Sequence, residues 1–142
     1  GNNTFSDKET SEPNHAGDSG GHSVWHTWTP PQSGWYSIDT LGSDFDTLLA
    51  IYTGSDVGSL TVVGSCDDTD PSELDCEILF FAEAGTDYLI AVDGKSGEKG
   101  NYLLNWATAM PPIEDKEIPF MPPIGYLIFG SLLAFIYRKY RC

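Results

Sequence analysis

Several side chains in the sequence carry oxygen atoms that can bind a divalent cation, and their spacing allows them to meet at one site. Asp44 and Asp46 are two residues apart, so on an extended segment both project to the same side. Calcium takes about six to eight hard oxygens, and the sequence predicts a calcium site from these carboxylates and their neighbours. The alternative is that Asp44 and Asp46 accept hydrogen bonds from turn amides. The complete set of candidate ligands is Glu12, Asn14, Asp44, Asp46, Asp67 and Asp68.

Carboxylates also serve glycosidases, which place two of them about 5 to 10 Å apart across a cleft. The sequence contains no nucleophile elbow, zincin motif or other catalytic signature that would accompany such a pair. For the three histidines, His15, His22 and His26, we expect packing or hydrogen-bonding roles. The sequence therefore predicts a non-catalytic protein.

Two cysteines, Cys66 and Cys76, flank a polar segment between two apolar runs. In an oxidising compartment we expect a disulfide that closes this loop at the foot of a hairpin, with a stabilisation of about 3 kcal/mol. Two free thiols are the alternative, because spacing alone does not fix connectivity. A zinc site is disfavoured, because no second cysteine pair or nearby histidine follows.

Aromatic residues offer a second kind of binding surface. Four tryptophans occur in the chain, and two on one exposed face would form a platform on which a sugar stacks. Buried aromatics dominate sandwich cores, so we expect most of the four to be core residues. Trp35 is the predicted exposed, ligand-binding tryptophan, because its neighbour Tyr36 belongs to the apolar face of the same strand.

These side chains need a scaffold, and the sequence predicts an all-β one. Short runs rich in β-branched and aromatic residues recur between clusters of Gly, Asp, Ser and Pro, which is typical of a sandwich or barrel. The run at 48–52 is apolar on both faces and is predicted to lie in the middle of a sheet. The predicted strands are 23–29, 34–40, 46–53, 60–66, 76–83, 87–93 and 101–107. Alternation predicts a core of Tyr36, Ile38, Tyr88, Ile90, Val92, Tyr102, Leu104 and Trp106.

The C-terminal residues predict where the protein resides. We divide the chain into a β-sandwich domain at 1–109, a proline-rich acidic linker at 110–119 and a hydrophobic tail at 120–142. The tail contains 18 residues from 120 to 137, which as a helix would span about 27 Å, and basic residues follow it. We therefore expect a transmembrane helix with a cytoplasmic C-terminus and an extracytoplasmic domain. The alternative is a buried C-terminal helix of a soluble domain.

Charge narrows the classes of partner. Residues 1–117 carry all 21 acidic residues against four lysines, a formal net charge of −17. Phosphate neutralisation needs clustered lysine and arginine, so a general nucleic-acid binder is excluded. Because export ahead of a C-terminal anchor requires an upstream signal, we expect Gly1 to be an internal residue of a longer precursor.

Five segments in order resemble the bacterial pre-peptidase C-terminal domain family. They are EPNHAG at 12–17, SVWHTWTPP at 23–31, GSDFDTLLAIYTG at 42–54, AGTDYLIAVDG at 84–94 and GNYLLNW at 100–106. The resemblance implies a jelly-roll-like antiparallel β-sandwich that serves as a non-catalytic appendage of secreted enzymes and surface proteins. Some members bind calcium, collagen or polysaccharide, and the calcium binders use an acidic N-terminal segment with neighbouring loop carboxylates. The family usually has one more strand before the first motif, where this chain has only residues 1–10.

The tail resembles sorting signals that exosortase-type or rhombosortase-type membrane proteases recognise, although the usual Pro-Glu-Pro or Gly-Gly motif is absent. The resemblances together imply a cell-surface module for binding or spacing, with calcium as its cofactor. Its expected partners are the membrane, a sorting protease and an extracellular protein or polysaccharide. Two alternatives stay open: an accessory appendage of a secreted hydrolase, and a carbohydrate-binding module.

Overall fold

Seven β-strands form two antiparallel sheets in the computed structural model of the chain, which describes residues 1–70 and 74–112. The predicted all-β sandwich is confirmed, and no α-helix occurs in the described residues. Short 3₁₀ turns occupy Val57–Ser59 and Lys95–Gly97. The strands are β1 (Val24–Trp28), β2 (Gly34–Asp39), β3 (Thr47–Thr53), β4 (Thr61–Cys66), β5 (Glu77–Ala82), β6 (Tyr88–Gly94) and β7 (Asn105–Thr108).

The larger sheet has the order β1-β6-β3-β4, and the smaller sheet has the order β5-β2-β7. In the larger sheet β3 lies between two neighbours, because Leu49 pairs with Val92 of β6 and with Cys66 of β4. The whole run 48–52 is buried. This confirms that the segment which is apolar on both faces lies inside a sheet.

The core forms where the inner faces of the two sheets meet. Ile38 and Ile78 of the smaller sheet pack with Leu49, Ile51 and Ile90 of the larger one. Burying an aliphatic side chain of this size stabilises a fold by about 1.5 to 3 kcal/mol. Six of the predicted core residues are buried, namely Tyr36, Ile38, Tyr88, Ile90, Val92 and Tyr102, and Leu104 is partly buried.

The prediction for Trp106 is wrong, because its side chain is 58% exposed. Trp106 pairs with buried Ile38 and therefore lies on the inward side of its strand. However, β7 is an edge strand and all four of its residues are exposed. Strand alternation identifies the inward direction, but it does not tell whether the opposing sheet extends far enough to cover that position.

The last strand begins later than predicted, because the residues before it pair with the N-terminus instead. The Tyr102 N–H donates to the Gly1 carbonyl at 3.0 Å, and the Asn3 N–H donates to the Gly100 carbonyl at 3.1 Å. A β-bridge between Asn2 and Asn101 lies between these two bonds. The first residues of the chain thus add a short pairing to this part of the sandwich.

The connection between β4 and β5 is not a hairpin, so the prediction that Cys66 and Cys76 lie at the foot of a hairpin is wrong. β4 is an edge strand of the larger sheet and β5 is an edge strand of the smaller one. The segment 67–76 therefore crosses from one sheet to the other. Cys66 ends one strand, and Cys76 directly precedes the other.

Gly1–Pro111 forms one compact unit. Most of the predicted linker and the whole predicted membrane tail, residues 113–142, lie outside the described residues. Within the part of the chain that the structure describes, no helix has the length and apolar character needed to cross a membrane.

Candidate cation site

Three of the predicted ligands meet at one end of the larger sheet. Asp46 directly precedes β3, while Asp67 and Asp68 follow β4. These strands are antiparallel neighbours, so the start of β3 lies beside the end of β4. One carboxylate oxygen from each aspartate lies within 4.8 Å of the others. We call Asp46, Asp67 and Asp68 the aspartate cluster.

A lysine that the sequence analysis did not single out lies against this cluster. Lys95 directly follows β6, whose last residue pairs with the first residue of β3. Its Nζ is 3.1 Å from Asp67 Oδ1, 3.1 Å from Asp68 Oδ2 and 3.9 Å from Asp46 Oδ2. The neighbouring carboxylates of Asp68 and Asp67 raise the pKa of Lys95. The ammonium group is therefore charged and partly neutralises the cluster.

One lysine does not satisfy three aspartates. The Oδ1 atoms of Asp46 and Asp68 are buried and accept no hydrogen bond from the described residues, and Asp67 Oδ1 has only the ion pair with Lys95. Burial raises the pKa of Asp46, and the charges of Asp68 and Asp67 add to this against the opposing effect of Lys95. The three carboxylates and one ammonium carry a formal charge of −2. Hard oxygens with free lone pairs and excess negative charge are the ligand type that hard divalent cations take.

The other three predicted ligands lie outside the cluster. Asp44 accepts hydrogen bonds from the Asn101 N–H at 2.7 Å and from Asn101 Nδ2 at 2.8 Å. Asn14 Oδ1 accepts a hydrogen bond from Lys8 Nζ at 2.8 Å. Asp44 lies in a bend and Asp46 directly before β3, so the two are not on one strand and strand alternation does not apply to their spacing. Asp44 therefore links the bend before β3 to a residue of a distant β-bridge.

Glu12 belongs to a separate, buried hydrogen-bond network. Its Oε1 accepts from His15 Nε2 at 2.8 Å and from Trp25 Nε1 at 3.1 Å, and its Oε2 accepts from the Glu9 N–H at 2.7 Å. The other ring nitrogen of His15 lies 2.8 Å from the Tyr52 hydroxyl. Burial and the negative charge of Glu12 raise the pKa of Tyr52 to about 12. Because Tyr52 is only 1% exposed, this carboxylate, imidazole and hydroxyl are closed to a substrate.

Glu12 makes stability depend on pH. Burial raises its pKa, but the nearby Ser23 hydroxyl and the hydrogen bonds from the Glu9 N–H and the His15 ring lower it, so the net pKa is below the ordinary value of 4.5. A depressed pKa stabilises the fold above the unfolded-state pKa, and this stabilisation is lost as the pH falls through the folded-state pKa.

We expect Glu12→Gln to lower the free energy of unfolding by about 2 kcal/mol at pH 7, because hydrogen bonds to a charged group are lost. The loss should shrink from pH 5 to pH 3, where the wild-type carboxylate also becomes protonated. Urea unfolding at pH 7, 5, 4 and 3 measures both effects. Glu83→Gln, at an exposed position, is the matched control. Equal pH slopes in wild type and Glu12→Gln would contradict this assignment.

Cys66 and Cys76 are brought into contact as free thiols. Burial raises the pKa of the Cys76 thiol, and a hydrogen bond with Cys66 raises it further. The Cys76 Sγ also lies 3.5 Å from the Thr47 carbonyl oxygen. The two side chains are therefore neighbours, and the disulfide between them stays a prediction.

Trp35 lies on the outer face of the smaller sheet and is partly exposed. Its ring contacts that of Phe81 at a centroid distance of 5.9 Å, and register places these two residues opposite each other. A ligand-binding role for Trp35 stays a prediction.

Comparison with known proteins adds no further constraint, since no protein-family model, curated protein or solved structure matches the chain.

Proposed function

We propose that this chain is a non-catalytic β-sandwich module of the pre-peptidase C-terminal type that acts in binding or spacing outside the cytoplasm. Calcium held by the aspartate cluster would stabilise it. The confirmed sandwich and the order of the five sequence motifs support the module, and the buried, unpaired Oδ1 atoms of Asp46 and Asp68 carry the calcium proposal. The jelly-roll connectivity and anchorage by residues 120–142 rest on the sequence.

Calcium has to share the cluster with Lys95. The lysine side chain is 33% exposed, and its flexible stem allows the ammonium group to move towards solvent. A divalent ion would neutralise the remaining charge of −2 and use lone pairs that the lysine leaves free. Lys95 is then a competitor that lowers the affinity without abolishing the site.

The position of the cluster gives calcium a mechanical role. Asp67 and Asp68 belong to the segment that crosses between the sheets, and Asp46 lies at the start of the central strand β3. A cation that bridges them ties the crossing segment to the larger sheet. A spacer or an adhesive module benefits from such a bridge, because it raises the cost of opening one end of the sandwich.

We expect calcium to raise the thermal midpoint of the full chain, measured in a mild non-ionic detergent with excess calcium and with chelator. A ligand that binds only the folded state adds about 2.7 kcal/mol at 100 times its dissociation constant. Asp46→Asn and Asp68→Asn should abolish the shift, since each removes a cluster carboxylate. Asp44→Asn is the matched control and should keep the shift, because Asp44 contacts Asn101 instead.

The Lys95→Gln variant tells whether the aspartate cluster binds calcium or is neutralised by Lys95 alone. If calcium competes with Lys95, removing the ammonium group should enlarge the calcium-dependent shift. A wild-type chain that shows no shift, beside a Lys95→Gln chain that does, would mean that the lysine is the resident cation. The native protein would then be a spacer that needs no metal.

A further inference from the structure

The outer face of the larger sheet carries an open cavity of about 220 Å³ that the calcium proposal does not use. Two strands supply its floor, the loop between β3 and β4 supplies one wall, and the N-terminal segment supplies its rim. The cavity is mostly apolar. Its lining residues are Glu9, Trp25, Ser55, Val57, Leu60 and Leu89.

The depression follows from the register of small residues on this face. Ala91 of β6 pairs with Trp25 of β1 on one side and with Ala50 of β3 on the other. Both alanines are fully buried beneath Trp25, Leu60 and Leu89. Two methyl groups fill little space between larger neighbours, and this leaves room beside the indole ring.

The indole ring is held in a fixed position. Trp25 Nε1 donates to Glu12 Oε1 at 3.1 Å, and the ring contacts His15 and Tyr52 at centroid distances of 5.4 and 5.5 Å. A ring that is already anchored loses little conformational entropy when a ligand packs against it. Trp25 is therefore a preorganised aromatic wall of the cavity.

A carboxylate stands at the rim of this apolar space. The backbone of Glu9 is fixed, because its N–H donates to Glu12 Oε2 and its carbonyl accepts from the Glu12 N–H. Its side chain is exposed and makes no salt bridge with any residue that the structure describes. A ligand with an apolar stem and a positive head group would match aliphatic walls, an aromatic ring and this carboxylate together.

The charge of the whole domain favours the same ligand. Residues 1–112 contain three lysines and 18 acidic residues, a formal net charge of −15. Such a surface attracts basic partners and repels acidic ones. A sugar fits less well, because among the described lining residues only Glu9 has a charged side chain and only Ser55 a hydroxyl, while the Trp25 N–H is already bonded to Glu12.

We propose that this cavity binds an arginine side chain presented by a basic protein partner. The guanidinium group stacks on Trp25 and pairs with the Glu9 carboxylate, while the methylene stem packs on Leu60 and Leu89. Arginine is favoured over lysine because its planar head both stacks on an aromatic ring and pairs bidentately with a carboxylate. The inference rests on the proposed binding function and names the class of partner.

The test titrates the full chain, in a mild non-ionic detergent, with N-acetyl-arginine amide and follows the indole N–H resonances by NMR. We expect a saturable shift of the Trp25 resonance, a smaller one with N-acetyl-lysine amide, and none with N-acetyl-norleucine amide, which lacks the charge. Glu9→Gln should weaken arginine binding about tenfold. Glu83→Gln, an exposed carboxylate outside the cavity, should leave it unchanged.

Two results would overturn the proposal. One is an arginine response of equal strength in wild type and Glu9→Gln, which would indicate unspecific charge attraction. The other is a Trp25 shift with cellohexaose and none with the arginine probe, which would indicate a carbohydrate site. Trp25→Phe keeps an aromatic wall but removes the indole N–H, so the loss of the shifting resonance assigns it to Trp25. Titration of this folded variant by calorimetry should show weaker arginine binding.

The calcium measurement separates this inference from the proposed function. Arginine binding without a calcium-dependent thermal shift would leave the cavity assigned and remove the calcium site. A calcium shift without arginine binding would keep the stabilised module and remove this partner class.

Discussion

Replacing Asp93 by alanine is expected to lower the free energy of unfolding by about 3 kcal/mol. The Asp93 side chain is fully buried on β6, and backbone N–H groups surround its carboxylate. Its Oδ1 accepts from His22 and Gly94 at 2.8 Å and from Gly21 at 3.2 Å, and its Oδ2 accepts from Gly21 at 3.0 Å. Alanine leaves these donors without an acceptor, and each buried, unpaired donor costs about 1 to 3 kcal/mol.

The loop that supplies these donors requires glycine. Gly20 has a φ of +52°, and a Cβ at this position would lie 1.8 Å from Asp93 Oδ2. We therefore expect Gly20→Ala to destabilise the domain as well, because the methyl group would push the loop away from the carboxylate. A substitution on either side of this contact breaks the same interaction.

Urea unfolding of Asp93→Ala, Asp93→Asn and Gly20→Ala at neutral pH measures these effects. A loss of about 3 kcal/mol should lower the thermal midpoint by roughly 12 °C or more in a domain of this size. The free energy of unfolding of Asp93→Asn should lie between those of wild type and Asp93→Ala, since asparagine keeps one carbonyl oxygen and loses the charge. Asp7→Ala, at an exposed position, is the control. A change below about 1 kcal/mol in Asp93→Ala would show that water replaces the carboxylate at little cost.

The fold was predictable because burial on a sheet repeats every two residues. The alternation of Tyr36 and Ile38 with polar neighbours identified β2, and the doubly apolar run at 48–52 identified a strand with neighbours on both sides. Trp106 has the same alternation, but it lies on an edge strand that the other sheet does not cover. The local pattern gives the direction of a side chain, whereas coverage depends on the extent of a different sheet.

The candidate site was predictable only in part, because it joins distant segments. Asp46, Asp67 and Asp68 meet because β3 and β4 pair. The sequence indicated this, because each of the two predicted strands has acidic residues at one end. Lys95 reaches the same place through the pairing of β6 with β3. A single lysine after a strand gives no such signal, and a strand order taken from sequence alone does not place it there.

The sequence also did not reveal the hydrogen-bond partners of Glu12 and Asp93. Both carboxylates are buried, and their partners are an imidazole and an indole in one case and backbone amides in the other. From composition they were indistinguishable from solvated acidic residues or cation ligands. The glycine pair at 20 and 21 was the available signal for Asp93, since consecutive glycines allow a backbone to wrap around an anion.

Oxidation of Cys66 and Cys76 to a disulfide is expected to raise the free energy of unfolding by about 3 kcal/mol, from the lost freedom of the unfolded loop. Cys66 packs against the buried cluster that contains Cys76, so we expect the bond to form without unfolding the domain. Glutathione disulfide serves as the oxidant. One thiol first forms a mixed disulfide and releases a glutathione, and the second thiol then displaces the other glutathione. We expect the first step at Cys66, because Cys76 is buried and its pKa is raised by that burial.

The measurement compares urea unfolding of the oxidised and reduced protein in a Cys142→Ser background, which removes the remaining cysteine. Mass spectrometry after alkylation confirms the pairing. Cys66→Ser should have the same free energy of unfolding under both conditions, so any remaining difference would come from something other than this bond.

Because the closed loop carries Asp67 and Asp68, the disulfide should also restrict two of the three cluster aspartates. An oxidised protein that is less stable than the reduced one would mean that the bond distorts the crossing segment, and its calcium-dependent shift should then shrink as well. A gain in stability with an undiminished shift would instead show that the disulfide and the aspartate cluster hold the same segment in one compatible conformation.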